Sequence, residues 1–200
     1  MEQTDLARIM AFTDGVMAVA ITLLVLNIEV PNVPSDQLVS QLDNLLPSLG
    51  AYALSFALVG RFWVIHHRLF ETLREFDGRL MAMNLAFLAL IVLLPFSTAL
   101  MDHYDTEPSA AAIFGATVGL ASLTHWVMSN YTLRRGYVAE ETLHIRLFAQ
   151  PVGLGFAALF FASIPAAYLS TRLAQAIWLA AVVVRYPLRR AAARVSDTSS

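Results

Sequence analysis

An aspartate inside an apolar stretch is the first residue of this chain whose position calls for chemistry. Asp14 lies in Arg8-Ile-Met-Ala-Phe12-Thr13-Asp14-Gly15-Val-Met-Ala-Val19-Ala-Ile-Thr22-Leu23-Leu-Val-Leu26. A carboxylate within a membrane span is costly and points to function or to a buried pairing. At about 100° per helical residue, Gly15, Val19, Thr22, Leu23 and Leu26 share one stripe. Asp14 stands about 140° from Val19, which turns it away from that stripe and into a bundle. Arg8, six residues earlier, is about 120° out of line with Asp14, so each needs a polar partner on another helix. Two readings of the stripe are open. It can pack on a neighbouring helix, with Gly15 and Ala18 allowing close approach and Asp14 capping or fixing the bundle. Alternatively it faces its own symmetry mates and lines a pore, where a hydrophobic constriction acts through wetting and dehydration.

The other titratable residues offer less. His66, His67, His103, His125 and His144 have no metal-ligand spacing, and H-E-x-x-H is missing. With no cysteine, disulfides, thiol catalysis and Cys-based metal sites are excluded. His125 reads as a bundle histidine, with a proton relay as the lesser reading. His67-Arg68 reads as a headgroup-facing anchor. Asp102, Asp105 and Glu107 read as a solvated turn; Glu29 and Asp36, just past the first apolar segment, are better placed to gather cations. There is no glycine-rich phosphate loop, nucleophile elbow, nucleic-acid motif or pair of catalytic groups, and no cofactor is expected.

The elements that must carry these residues are apolar spans. The 200 residues are 58% hydrophobic and 14% charged, with a mean hydropathy of +0.61; a soluble domain holds about 45–50% and about 25%. A crossing takes about 20 residues, so six fit and a second domain does not. Polar or turn residues bound six segments, at about 9–28, 45–65, 80–100, 110–128, 148–169 and 173–188. Pro34–Asn44 reads as a short interfacial helix, and prolines 95 and 165 as kinks in the third and fifth spans. The expected division is one six-helix domain over 1–190 and a flexible tail over 191–200. All 13 basic residues are arginine, and 11 of them fall on alternate connections and the two ends. Arg172 is opposite and Arg61 lies within the second segment. This pattern places both termini in the cytoplasm. A signal peptide cleaved after Ala18-Val-Ala20 is disfavoured by Glu2, Asp5 and Asp14.

Arg8-x-x-x-Phe12-Thr13-Asp14-Gly15 with Ala-Val19-x-x-Thr22-Leu23-Leu resembles the R-x-x-x-F-S-D-G signature of the prokaryotic transmembrane protein 175 family of potassium-permeable channels. Trp63-Val-Ile-His66-His67-Arg68 is similar to the family's second helix, and Asn84-Leu85 with Pro95-Phe96-Ser-Thr98 to its third. Segments four to six are similar in number, length and topology. Thr13 replaces the usual serine and keeps the hydroxyl; Val19 replaces a larger residue, which implies a wider constriction.

The resemblance implies an all-α homotetramer in the inner membrane, with the first helix of each subunit around a pore. Val19, Leu23 and Leu26 become hydrophobic rings, with Thr22 hydroxyls beside the narrowest. Arg8, Asp14, Trp63 and His66 become a polar network behind them, Asp14 accepting from an indole and an imidazole N–H. The three-residue step from Trp63 favours His66 over His67. The implied partners are potassium and other monovalent cations, the bilayer and further copies of the chain, with no nucleic acid and no bound metal. No TVGYG-like filter exists, so potassium preference over sodium should be modest. A proton-coupled secondary transporter is the alternative, although neither an internal repeat nor a midplane carboxylate supports it.

Overall fold

The computed structural model describes residues 3–139 and 143–183, with side chains over 6–139 and 151–182. Among these residues every regular element is helical: α1 (Gln3–Leu23), α2 (Leu38–Leu42), α3 (Leu46–Glu71), α4 (Gly78–His103), α5 (Pro108–Arg134), α6 (Leu143–Leu169) and α7 (Thr171–Val183). Five stretches are long and apolar enough to cross a membrane: Leu6–Asn27, Leu38–Glu71, Gly78–His103, Pro108–Arg134 and Pro151–Leu169. The sixth expected span begins within α7 and ends outside the described residues, as does the expected tail. Lipid offers backbone groups no partner, so a helix, which pairs its own, is the element that such sequences form.

Two expectations are refined. The first segment is not one uniform helix, because its last turn, Leu24–Asn27, is 3-10. The short helix expected over Pro34–Asn44 is only α2, followed by a 3-10 turn at Asp43–Leu45. The second apolar stretch is correspondingly longer at its start than expected. Helices α4 and α6 run through Pro95 and Pro165 without ending.

The packing has two parts. In one, α5, α6 and α7 are held together by close approach. A Cβ on Gly115 would lie 2.8 Å from Ser163 Oγ and 3.2 Å from the Phe160 carbonyl oxygen, so only glycine lets α5 approach α6 this closely. Trp178 of α7 is fully buried against Phe114 and Phe160 and donates its indole N–H to Ser163 Oγ at 2.7 Å. In the other part, α1, α3 and α4 pack through Met17, Ala20, Leu24, Leu58, Phe62 and Ile91. Arg61, inside the second span, sets its guanidinium 3.7 Å from the Phe156 ring centre of α6, a cation–π contact strengthened where water is scarce.

The arginine-rich end is closed by a latch between two connections. Leu73 and Val138 form an isolated antiparallel bridge, with Arg74 N–H donating to the Tyr137 carbonyl at 2.8 Å and Ala139 N–H to the Thr72 carbonyl at 3.1 Å. Gly136, at φ +69°, turns the chain out of α5 into this bridge. Asp77 caps α4 by accepting from Leu80 N–H at 2.8 Å, and its other oxygen accepts from the Tyr131 and Tyr137 hydroxyls. The Tyr131 hydroxyl, and then the Leu80 amide, hold the Asp77 carboxyl below its ordinary value. Asp77→Ala should therefore lower stability by about 1 kcal/mol, the typical worth of an N-cap. A group depressed in the folded state stabilises above its unfolded pKa of about 4 and loses that contribution as pH falls through the folded value. Thermal melting of the purified protein should show this acid-side loss in wild type, with a smaller loss in Asp77→Ala.

Candidate functional site

Helix α1 presents two faces of opposite fate. Ile9, Thr13, Met17, Ala20 and Leu24, spaced by four, four, three and four, are buried, as a helix stripe packed on neighbours requires. The opposite side carries Phe12, Val19, Thr22, Leu23 and Leu26, all exposed, with Val19 at 58% and Leu26 at 73%. Gly15 and Ala18 are exposed too, and a Cβ on Gly15 would meet nothing within 4 Å. The stripe thus does not pack on a neighbouring helix of its own chain. Its chemistry is that of aliphatic side chains plus one hydroxyl. Thr22 Oγ1 donates to the Val19 carbonyl at 2.8 Å. With its proton committed to its own helix, that oxygen has only lone pairs left to offer.

Behind the stripe, polar groups of three helices meet. Asp14 Oδ1 accepts from Trp63 Nε1 of α3 at 2.9 Å. Asn84 of α4, fully buried, is the hub of a second set. Its Oδ1 pairs with His66 Nε2 at 2.8 Å, and its Nδ2 donates to Thr13 Oγ1 at 3.1 Å. An amide oxygen only accepts, so His66 is the donor in that bond and carries its proton on Nε2. His66 is stacked between Phe70, at 4.2 Å, and Phe87, at 5.3 Å. The next residue, His67, stacks on Trp63 at 5.3 Å and pairs with Glu71 at 3.1 Å.

These contacts revise the expected network in three ways. Asp14 takes the indole proton but not an imidazole proton, which goes to Asn84. Arg8 is exposed and is not bonded into this set among the described residues. Asn84, named above only for its place in a motif, joins three helices. Its signal was a lone amide in the apolar run Met83-Asn84-Leu85 with Ile91 and Thr98 seven and fourteen residues on, which places all three on one face of α4. At the far end of that face, Thr98 Oγ1 meets Ser55 Oγ of α3 at 2.8 Å.

Of the acidic candidates, Glu29 and Asp102 line one crevice of about 660 Å³, with Leu26, Phe96, His103 and Tyr104. Asp36, Asp105 and Glu107 do not line it. His125 of α5 lies beside the same aromatic group, 5.7 Å from Phe87 and 6.2 Å from His66.

A bundle of apolar, membrane-length helices tied internally by paired polar groups defines a polytopic helical membrane protein. Residues 8–95, a little under half of the chain, match the family model described as the endosomal/lysosomal potassium channel TMEM175, and this part of the chain resembles that family. A potassium channel of Chamaesiphon minutus is 42% identical over 122 residues, covering 60% of this chain and 60% of the relative. The human relative, called an endosomal/lysosomal proton channel, is 36% identical over 110 residues, covering 50% of this chain and 22% of that protein. The bacterial relatives are matched over less than two thirds of their own length. In three dimensions the likeness extends further. The crystal structure of a lysosomal potassium-selective channel TMEM175 homolog from Chamaesiphon minutus aligns with a TM-score of 0.82 at 28% identity, covering 94% of this chain and 98% of that one.

Asn84 is buried and serves two partners, whereas Trp63 is 41% exposed and serves one. Leaving a buried donor or acceptor unpaired costs about 1–3 kcal/mol. Asn84→Ala should therefore depress the melting temperature in detergent well below wild type, and Trp63→Phe should depress it less. The reverse order in parallel melts would show that the Asn84 relay is not the principal tie.

Proposed function

We propose that this protein is a potassium-permeable cation channel of the inner membrane, formed by four copies whose α1 helices line the pore. The observation that carries this reading is the outward stripe of Val19, Thr22, Leu23 and Leu26, on a helix whose other face is packed. Around a fourfold axis each of these positions becomes a ring. A cation passing aliphatic rings must shed part of its hydration, and potassium, the more weakly hydrated ion, sheds it at lower cost than sodium. The Thr22 oxygen, with its proton directed to the Val19 carbonyl, offers lone pairs to the dehydrating ion. Valine at position 19 leaves that ring wider than a leucine would, so the preference for potassium is modest.

In this reading, Asp14, Trp63, Thr13, Asn84 and His66 are scaffold that sets the radial position of α1 and do not touch the ion. Phe12, Gly15 and Arg8 lie toward the start of the same helix, where neighbouring copies meet. The arginines at the start of α1, the ends of α3 and α5 and the start of α4 are cytoplasmic under the positive-inside rule, as are both termini. No cofactor and no catalytic step are needed.

The test is potassium uptake into liposomes holding the purified protein, with valinomycin, sodium and proton-uptake controls. Passive uptake that prefers potassium, and loses that preference in Leu23→Ala and Val19→Asn, is the expected result. Asp14→Ala should lower the yield of assembled tetramer. Normal assembly with lost conductance in that variant would instead put Asp14 in the conduction path. No uptake by folded, inserted wild type would remove the channel reading and favour a proton-coupled transporter.

A further inference from the structure

The last turn of α1 is wound differently from the rest of the helix. Leu24–Asn27 is a 3-10 turn, and Ile28 N–H closes it by donating to the Val25 carbonyl at 3.2 Å. Such a turn advances about 120° per residue, so residues i and i+3 are eclipsed at a rise of about 2.0 Å each. Leu23 and Leu26 consequently point in one direction, about 6 Å apart along the axis. A continued α-helix would rotate Leu26 about 60° away from Leu23.

A 3-10 turn has poorer hydrogen-bond geometry than an α-turn, so something must favour it here. Asn27 Nδ2 donates to the Pro95 carbonyl of α4 at 3.0 Å, a half-buried bond between residues 68 apart in sequence. The receiving stretch of α4 is itself tied down. Thr98 Oγ1 donates to the Leu94 carbonyl at 2.7 Å and meets Ser55 Oγ of α3 at 2.8 Å. Asn27 therefore anchors the end of α1 to a fixed point.

We infer that Asn27 is a positioning residue for ion passage, whose amide, held by the Pro95 carbonyl, keeps the last turn of α1 in 3-10 winding and stacks Leu26 over Leu23. This inference rests on the pore reading above. Asn27 does not touch the ion in this scheme and acts through Leu26. Asn27→Leu has nearly the same size and no donor. It releases the turn to α-helical winding and rotates Leu26 off the line of Leu23.

The chain contains no cysteine, so Leu26→Cys introduces the sole thiol. The experiment measures two quantities in liposomes: the potassium-to-sodium uptake ratio of wild type and Asn27→Leu, and the rate at which a positively charged thiol reagent modifies Leu26→Cys with and without Asn27→Leu. The expected result is intact assembly, a ratio lowered toward one, and a several-fold change in modification rate. Should Asn27→Leu fail to assemble, Asn27→Asp is of equal size, cannot donate when ionised, and should show the same fall. An unchanged ratio and unchanged thiol reactivity, in protein whose uptake still responds to Leu23→Ala, would overturn the role of Asn27 alone. Wild-type protein without uptake would overturn the pore reading itself.

Discussion

A buried polar group in a membrane has no water to fall back on, and the arrangement of α1 depends on how this chain meets that constraint. His66 gives its proton to Asn84, and Asn84 gives one of its own to Thr13. Each bond crosses between helices, so none can form until α1, α3 and α4 are in register. The relay lies on the buried side of α1 and determines which side remains uncovered. Asp14 and Trp63 repeat the tie at the rim, where burial is partial. Removing one member leaves its partners unpaired, so the relay specifies a geometry as well as stabilising it.

The second half of the bundle uses a different means. Helices α5 and α6 approach until a methyl group at Gly115 would collide with Ser163, and Trp178 of α7 occupies the space beside them. Without a hydrophobic driving force between helices in lipid, small residues and dispersion contacts are what hold such a pair. The family match over residues 8–95 covers the relay and most of its three helices, whereas the structural likeness extends to nearly the whole chain. Close packing can be achieved by many combinations of small and large residues. A hydrogen-bonded relay tolerates few.

The same contrast separates what could be read in the sequence from what could not. The spans were legible because hydropathy over about 20 residues is a bulk property. The two faces of α1 were legible because helical rotation is fixed, and Val19, Thr22, Leu23 and Leu26 all lie on the exposed side. That Asp14 needs a polar partner on another helix followed from the cost of an unpaired carboxylate, whereas Trp63 as that partner was implied only by the resemblance. Partner choice was not legible: His66 meets Asn84 rather than Asp14 because of how α3 and α4 cross, a tertiary property that spacing along one helix does not encode. The 3-10 turn at Leu24–Asn27 was hidden for the same reason, since its anchor, the Pro95 carbonyl, is a backbone group far away in sequence. Asp77, caught between two tyrosines, depends on a bridge between Leu73 and Val138 that only the assembled bundle forms.

The stripe on α1 is bracketed by these ties. Thr13 and Asp14 fix its start, and Asn27 fixes its end; between them Val19 and Leu23 have no polar anchor and rest on the packing of Met17, Ala20 and Leu24 behind them. A helix pinned at both ends and backed by a close-packed face changes its radius only by disturbing one of the ties. If four such helices define a constriction, its width follows from side-chain size at positions 19, 23 and 26. Its depth depends on whether Leu26 stands over Leu23. Ring size and ring stacking are then separately adjustable, the first by residues on the stripe and the second by a residue off it. A narrow passage without a carbonyl filter can discriminate between ions only through dehydration, and dehydration is sensitive to both.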